Sequence, residues 1–265
     1  MKKRFIVLGI LLAAFGVTKM NAQILSDKTM GALGKGISGF TFSDADAAAL
    51  AKESIAEMDA NNPVAGPADG YSIRLNRLFG KHISSEGVTL NYKVYLVKDI
   101  NAFACADGSV RVFAGLMDIM DDNELLAVIG HEIGHVVNHD TRDAIKAAYK
   151  KEALLDAASS QSGKIEQESQ ADSFSYDFMK KNGYDVNAVA SAFRILQNLS
   201  EGAEASFFTK MASSHPDSGK RADDAKKRAE KDGLYKAYVQ GKIVNTAPAK
   251  AKAKTTAKKK TTKKK

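Results

Sequence analysis

The chain has 265 residues, 44% of them apolar and 26% charged, with 39 Lys and Arg against 31 Asp and Glu and a formal charge of +8. This suits one ordinary folded domain or two small ones and excludes a wholly disordered or collagen-like chain. A single cysteine, Cys105, excludes an intrachain disulfide framework.

Residues 1–22 read as a secretory leader. Lys2, Lys3 and Arg4 precede an apolar run from Phe5 to Val17, and Met20-Asn21-Ala22 offers a small residue before a cut at Gln23. The run is too short for a comfortable transmembrane helix. Cys105 is far from the cut, so a lipid anchor on an N-terminal cysteine is excluded. The remainder is expected to fold over 23–244.

Ser43-Asp44 caps an Ala-rich helix to about Asp59, and Asn61 to Gly70, with Pro63 and Pro67, is a break. A helix is expected over Tyr71 to Phe79. Thr89 to Val97 alternates as a strand, with Leu90, Tyr92, Val94 and Leu96 on one face. A second strand covers Ala102 to Cys105, Asp107-Gly108 signals a hairpin turn, and a third strand runs from Ser109 to Phe113. Helices follow at Gly115–Met120, Asp122 to about Asn138, Ala144–Ala158, Glu166–Lys181, Asn187–Leu199 and Ser218–Lys231, with Gly183 and Gly233 as stops. The reading is a small sheet among many helices.

The last 21 residues, 245–265, hold nine Lys and no acid, so they read as a disordered basic tail. The leader carries four cations and the tail nine, so of the +8 the segment 23–244 holds −5. The basicity belongs to the two ends.

The informative stretch is His131-Glu132-Ile133-Gly134-His135. Histidines four apart on a helix project from one face, a spacing that lets both imidazoles reach one zinc, with Glu132 beside them to contact a metal-bound water. Leu125, Leu126, Val128, Ile129, Ile133 and Val136 make this helix buried, and buried imidazoles and carboxylates are costly unless paired. A third protein ligand is needed. A histidine six residues on is absent, because Asn138 and Thr141 stand where such a pattern needs Gly and His. The other source is a carboxylate on the helix 166–181, where Glu166, Glu168 and Asp172 lie. Glu168 and Asp172 share a face, so one can ligate while the other accepts a hydrogen bond from a ligand histidine.

These residues resemble the HtpX-like zinc peptidases, a family that also includes the CAAX prenyl proteases and the mitochondrial Oma-type proteases. Within it the chain is similar to the soluble periplasmic, LoiP-type branch. The resemblance rests on Asn101-Ala102-Phe103-Ala104 with Gly108 and Gly115-Leu116, on His131 to Val136, on Glu168 to Asp172, and on His215-Pro216 with Arg221. It implies a helix-rich α+β, zincin-like domain whose small sheet packs on the zinc-binding helix. His131, His135 and Glu168 would bind one Zn2+, with Asp172 as the partner of a ligand histidine and Glu166 without a role. Asn101, Ala102, Phe103 and Ala104 would form an edge strand that pairs with an extended polypeptide substrate. Glu132 would be the catalytic base. His215 would approach the zinc site, either serving the transition state or closing the open position. Arg221 would be structural. Where relatives often carry a basic residue and His, this chain reads Asn138-His139-Asp140, which leaves His139 to a charge interaction at a helix C-terminus.

The implied function is an exported, zinc-dependent metalloendopeptidase acting on misfolded or misassembled cell-envelope proteins. A second class is a non-proteolytic zinc protein that assists envelope assembly. A third is a polyanion binder through the Lys tail, for which an anionic envelope surface is the expected partner. The tail has no aromatic residue to stack on bases, so specific nucleic-acid readout is not expected. Cys105 is expected to pack, and His82 to be an ordinary surface residue.

Overall fold

The computed structural model describes residues 43–149, 161–201 and 215–246. The leader and residues 247–265 of the tail lie outside them. The architecture is the expected helix-rich α+β arrangement. Its elements are α1 (Asp44–Asn61), α2 (Gly70–Phe79), β1 (Ser84–Ser85), β2 (Val88–Thr89), β3 (Asn91–Tyr95), β4 (Ala102–Ala104), β5 (Ser109–Phe113), α3 (Ala114–Ile119), α4 (Asp122–Val137), α5 (Asp140–Tyr149), α6 (Gln161–Lys181), α7 (Asn187–Glu201) and α8 (Ser218–Lys231).

The sheet order is β3-β5-β4, with β3 and β5 parallel and β4 antiparallel to β5. The β4–β5 hairpin turns where Asp107-Gly108 predicts it. Gly108 has φ +82° and a Cβ there would lie 2.0 Å from the Thr89 carbonyl, so only glycine fits. The outer edge of β3 is covered by residues 63–65: Ala65 N–H donates to Val94 O and Leu96 N–H to Pro63 O. Among the described residues no strand pairs with the other edge of β4. Phe113 N–H donates to Asn101 O and Cys105 N–H to Ser109 O. Residues 101, 103 and 105 therefore face β5, and the main chains of Ala102 and Ala104 turn toward the opposite edge.

The expected single strand Thr89–Val97 is broken at Leu90 into β2 and β3. Its two-sided alternation also fails: Val94 and Tyr95 are both fully buried, because helices cover both faces of the sheet there, while Leu96 lies past the strand and is exposed. The helix expected from Ala144 instead begins at Asp140, and its predicted C-terminal half falls outside the described residues. The remaining described helices match expectation to within a few residues, with Gly183 and Gly233 at positive φ as stops.

Helix α4 is the axis of the molecule. Asp121 and Glu124 form a reciprocal capping box at its start. Leu125, Ile129 and Ile133 are almost wholly buried, each contributing about 1.5–3 kcal/mol of hydrophobic free energy. Gly130 and Gly134, four apart, let α6 approach. A Cβ on Gly134 would meet the Ala171 backbone at 2.9 Å, and one on Gly130 would meet Phe178 at 3.1 Å. Opposite them α6 offers Ala171 and Ser175, and the Ser175 hydroxyl donates to Ala127 O at 2.7 Å.

On the other face of the sheet, α1 closes a second core around Leu50, Ile55, Tyr95, Phe103, Cys105 and Phe113. Cys105 is fully buried there and burial pushes its thiol pKa up, the inert behaviour of a packing residue. His82 differs from expectation. It is half-buried, its ring packs edge-on against Phe178, and Nε2 shares a 2.8 Å hydrogen bond with the Tyr184 hydroxyl. After α8 an irregular strap, residues 232–246, returns to the start of α4. Asn245 bonds Arg74, Met117 O and Asp118, so the ordered chain runs past the expected boundary at 244. Among the described residues no helix is long and apolar enough to cross a membrane.

Candidate metal centre

Helix α4 carries His131 and His135 on the face turned to α6 and to the loop before α8. Their Nε2 atoms are 3.0 Å apart. The close packing at Gly134 brings Glu168 of α6 within reach, with its oxygens 3.4 Å from His131 Nε2 and 3.3 Å from His135 Nε2. His215 enters from just before α8, its Nδ1 3.1 Å from both Glu168 oxygens and 3.2 Å from His131 Nε2. The donor atoms of these four residues all lie within 4.8 Å of one another.

This convergence tests the fit of a cation. Nitrogen and oxygen donors about 2.0–2.2 Å from a tetrahedral zinc stand roughly 3.3–3.6 Å apart, close to the spacing here. The imidazoles' other nitrogens are already engaged. His131 Nδ1 is 2.8 Å from Asp172 and His135 Nδ1 is 2.8 Å from Asp140. Those contacts leave the Nε2 lone pairs aimed at the shared centre. Three imidazoles and a carboxylate are a donor set suited to zinc or a similar transition metal.

The surroundings are strongly polarised. Burial works to raise the Glu168 pKa, but electrostatic attraction to His215 and bonds to the three histidines hold it well below the carboxylate range. Asp172, against the same burial, is pushed down to about 2 by Arg221 and His131. Burial works to lower the His135 pKa, and the bonds to Asp140 and Glu168 outweigh it. Arg221, 7% exposed, ties the two carboxylates together: Nη1 lies 2.9 Å from Glu168, and Nη2 and Nε lie 2.6 and 2.8 Å from Asp172. Its guanidinium stacks 4.1 Å from the centre of the Phe193 ring.

Glu132 stands apart. It is 3% exposed, its Oε1 has no hydrogen-bond partner among the described residues, and the nearest imidazole nitrogen, His215 Nε2, is 3.5 Å away. A buried carboxylate oxygen left unpaired costs free energy, and such groups concentrate where a ligand or reactant completes them.

Of the sequence-predicted residues, His131, Glu132, His135, Glu168, Asp172 and His215 come together. Asn101 to Ala104 lie at the sheet edge beside α4 and are buried. There the Thr141 hydroxyl donates to Ala104 O at 3.3 Å. Glu166 is exposed, as expected. Two residues exceed the sequence reading. Asp140 was not singled out. His139, at φ +65°, ends α4 and opens α5, its N–H bonding Val136 O and its carbonyl accepting from Asp143 N–H. That left-handed residue swings Asp140 back under His135, which gives His139 a backbone role. Arg221 proves to be a bridge inside the site. Its sequence signal is faint, a cation on the Ala222-Ala225-Ala229 face of a helix otherwise rich in charge.

The profile of Peptidase family M48 matches residues 74–160 and 152–229. The chain is 39% identical over 213 residues to Metalloprotease YcaL of Escherichia coli (strain K12), covering 71% of this chain and 82% of that protein. It is 33% identical over 252 residues to Metalloprotease LoiP of the same organism, covering 84% and 98%. A Protease HtpX homolog of Streptococcus uberis is 43% identical over 56 residues, 19% of each chain.

Proposed function

The chain belongs to peptidase family M48 and is a metallopeptidase; from that premise we propose that it is an exported zinc endopeptidase hydrolysing misfolded or misassembled cell-envelope proteins. The observation that carries the site assignment is the buried Glu132 Oε1, without a hydrogen bond among the described residues, beside four converging donors. His131 and His135 through Nε2, with Glu168, would hold the zinc, which when bound polarises a peptide carbonyl and acidifies water. Asp172 and Asp140 fix the two ring tautomers, and Arg221 holds Glu168 and Asp172 in place.

An extended peptide adds to the outer edge of β4 through the main chains of Ala102 and Ala104, displacing the Thr141 hydroxyl from Ala104 O, a mode that reads backbone more than sequence and suits unfolded clients. Binding there lays a scissile carbonyl over the α4 histidines. Glu132 Oε1 takes the proton of the attacking water and returns it to the departing amine nitrogen. The 3.1–3.2 Å spacing of His215 Nδ1 from Glu168 and His131 supports the second of its two roles, closing the open donor position at rest. The leader, residues 1–22, accounts for export, the segment 23–244 for the peptidase domain, and the Lys-rich tail for contact with an anionic envelope surface.

The test is Glu132→Gln beside His135→Ala. Glu132→Gln should keep its zinc and lose casein hydrolysis by about 10²–10⁴-fold, the usual worth of a general base, whereas His135→Ala should lose the metal. A Glu132→Gln protein that cleaves at the parent rate overturns the mechanism. One that is proteolytically dead yet fully active in envelope assembly favours the non-proteolytic reading. His215→Ala should retain metal and hydrolyse casein faster than the parent; slower hydrolysis would assign His215 to the transition state.

A further inference from the structure

The edge of β4 turned away from β5 is covered at the point where a peptide would have to pair. The main chains of Ala102 and Ala104 turn outward there, yet the two residues are only 1% and 4% exposed. Over the Ala104 carbonyl lies the Thr141 hydroxyl, 3.3 Å away and donating to it. It occupies the place that a backbone N–H of an added strand would take.

Two observations separate this contact from ordinary bracing. The start of α5 is held without it. Asp143 N–H donates to His139 O, Asp140 bonds His135 at 2.8 Å, and Arg142 reaches Asp44 and Asp143 at 2.8 and 3.1 Å. The contact is also easily released. At 3.3 Å it is longer than the usual O–H···O bond of about 2.7–2.8 Å. Thr141 is half-buried, and a cavity of about 150 Å³ lined by Thr141, Val88, Ala106, His139 and Arg142 adjoins it. A change of one side-chain rotamer frees Ala104 O, while Asp140 keeps its hold on the His135 imidazole.

We propose that Thr141 is a gate on the substrate edge, a positioning residue whose hydroxyl stands in for a substrate N–H at Ala104 O and so sets which polypeptides bind. The inference rests on the reading of the β4 edge as the peptide site, and it adds the residue that guards it. An uncovered strand edge pairs with any exposed strand, and native proteins cover such edges. Here the cover is a single hydroxyl that an extended chain with free amides displaces, one hydrogen bond being exchanged for another. A folded protein, whose amides are already paired, offers nothing in exchange and leaves the gate shut. The substrate class this selects is unfolded polypeptide with a run of unpaired backbone N–H groups.

The experiment is fluorescence anisotropy with a labelled, unstructured casein peptide of about ten residues, long enough to run past the edge. The protein is the full chain loaded with zinc and carrying Glu132→Gln, so that the peptide stays intact. Thr141→Val keeps the side chain's shape and removes the donor, and adding it should lower the peptide's dissociation constant about 2–10-fold, the worth of one neutral hydrogen bond. Thr141→Ala should tighten binding likewise, whereas Thr141→Ser, which keeps the hydroxyl, should bind as Thr141 does. Peptides N-methylated at one amide each locate the exchange: the gain from Thr141→Val should vanish for the peptide that has lost the amide facing Ala104 O and persist for peptides methylated at amides turned away from β4. If N-methylation weakens binding but neither Thr141→Val nor Thr141→Ala tightens it, the gate is wrong and the edge reading stands. If every N-methylated peptide binds like the unmethylated one, the peptide is not taken as a strand and both readings fall. Weaker peptide binding together with a lower urea midpoint in Thr141→Val would make the contact a brace and overturn the proposal.

Discussion

Two clusters of buried charge flank the sheet, and they are built on opposite rules. On the α1 side, Asp59 receives Arg111 Nε and Nη2 at 2.8 and 3.0 Å, Lys93 Nζ at 2.7 Å and the Tyr95 hydroxyl at 2.8 Å. Arg111 Nη1 spends its remaining capacity on Asn91 O and Val110 O. Lys93 and Arg111 stand opposite each other on neighbouring strands, so Asp59 separates two like charges that would repel. Every oxygen there has its donor. On the α4 side, three imidazoles and a carboxylate turn lone pairs toward one point, and among the described residues Glu132 Oε1 receives no hydrogen bond. A cluster that closes on itself is architecture, whereas one whose acceptors converge without enough protons between them is a site waiting for a cation or a reactant. Burial alone does not separate the two, since Arg111 and His131 are each about 2% exposed or less.

The sharpest break of that contrast is Asp59→Ala. It leaves Arg111 buried and Lys93 facing it, and uncompensated buried charge typically costs about 3–5 kcal/mol. Urea unfolding should register that loss, while zinc affinity and casein turnover per folded molecule stay at parent values, because the cluster touches no part of the metal centre. A change in metal affinity would show that the sheet does not insulate its two faces.

The mirror experiment sits at Arg221. Lysine keeps the charge but not the fork that reaches Glu168 and Asp172 together. Arg221→Lys should weaken metal binding by about 10–100-fold, the range for lost partners of metal ligands, with a smaller effect on urea stability than Asp59→Ala. Chelator competition measures the first and urea titration the second. A variant that loses stability but binds zinc as tightly as the parent would make Arg221 part of the architecture after all.

How much of this was legible beforehand follows the same division. The His131-to-His135 pair, the face shared by Glu168 and Asp172 and the hairpin glycine at 108 are local patterns, and local patterns survive in sequence. Of the two glycines that let α6 dock, Gly134 sits inside the motif and Gly130 just before it, but their purpose shows only when Ala171 and Ser175 lie opposite. Asp140 was invisible because it depends on a left-handed backbone at His139. The break at Leu90, the burial of Tyr95 and the Asp59–Arg111 pair were invisible because they depend on α1 covering the far face of the sheet, a contact across more than thirty residues of chain. The alternation from Leu90 to Leu96 described a sheet with one wet face; this one is covered on both.

The smallest predicted effect is a pH dependence at Asp59. Burial works to raise its pKa, and bonds from Arg111, Lys93 and Tyr95 outweigh that, so the folded value lies below the unfolded one. A carboxylate lowered in this way adds stability above its unfolded pKa of about 3.9, and that increment disappears as pH falls through the folded value. Asp59→Asn has no charge to lose. The gap in urea midpoint between parent and Asp59→Asn should therefore be widest near neutrality, hold down to about pH 4 and narrow below it as the parent's carboxylate protonates. Other lowered carboxylates, Asp172 and Asp185 among them, bend both curves together and cancel in the difference. A gap that stays constant down to the acid transition would mean that Asp59 holds Arg111 and Lys93 by shape and hydrogen bonding alone, and that its charge contributes nothing to the closed cluster.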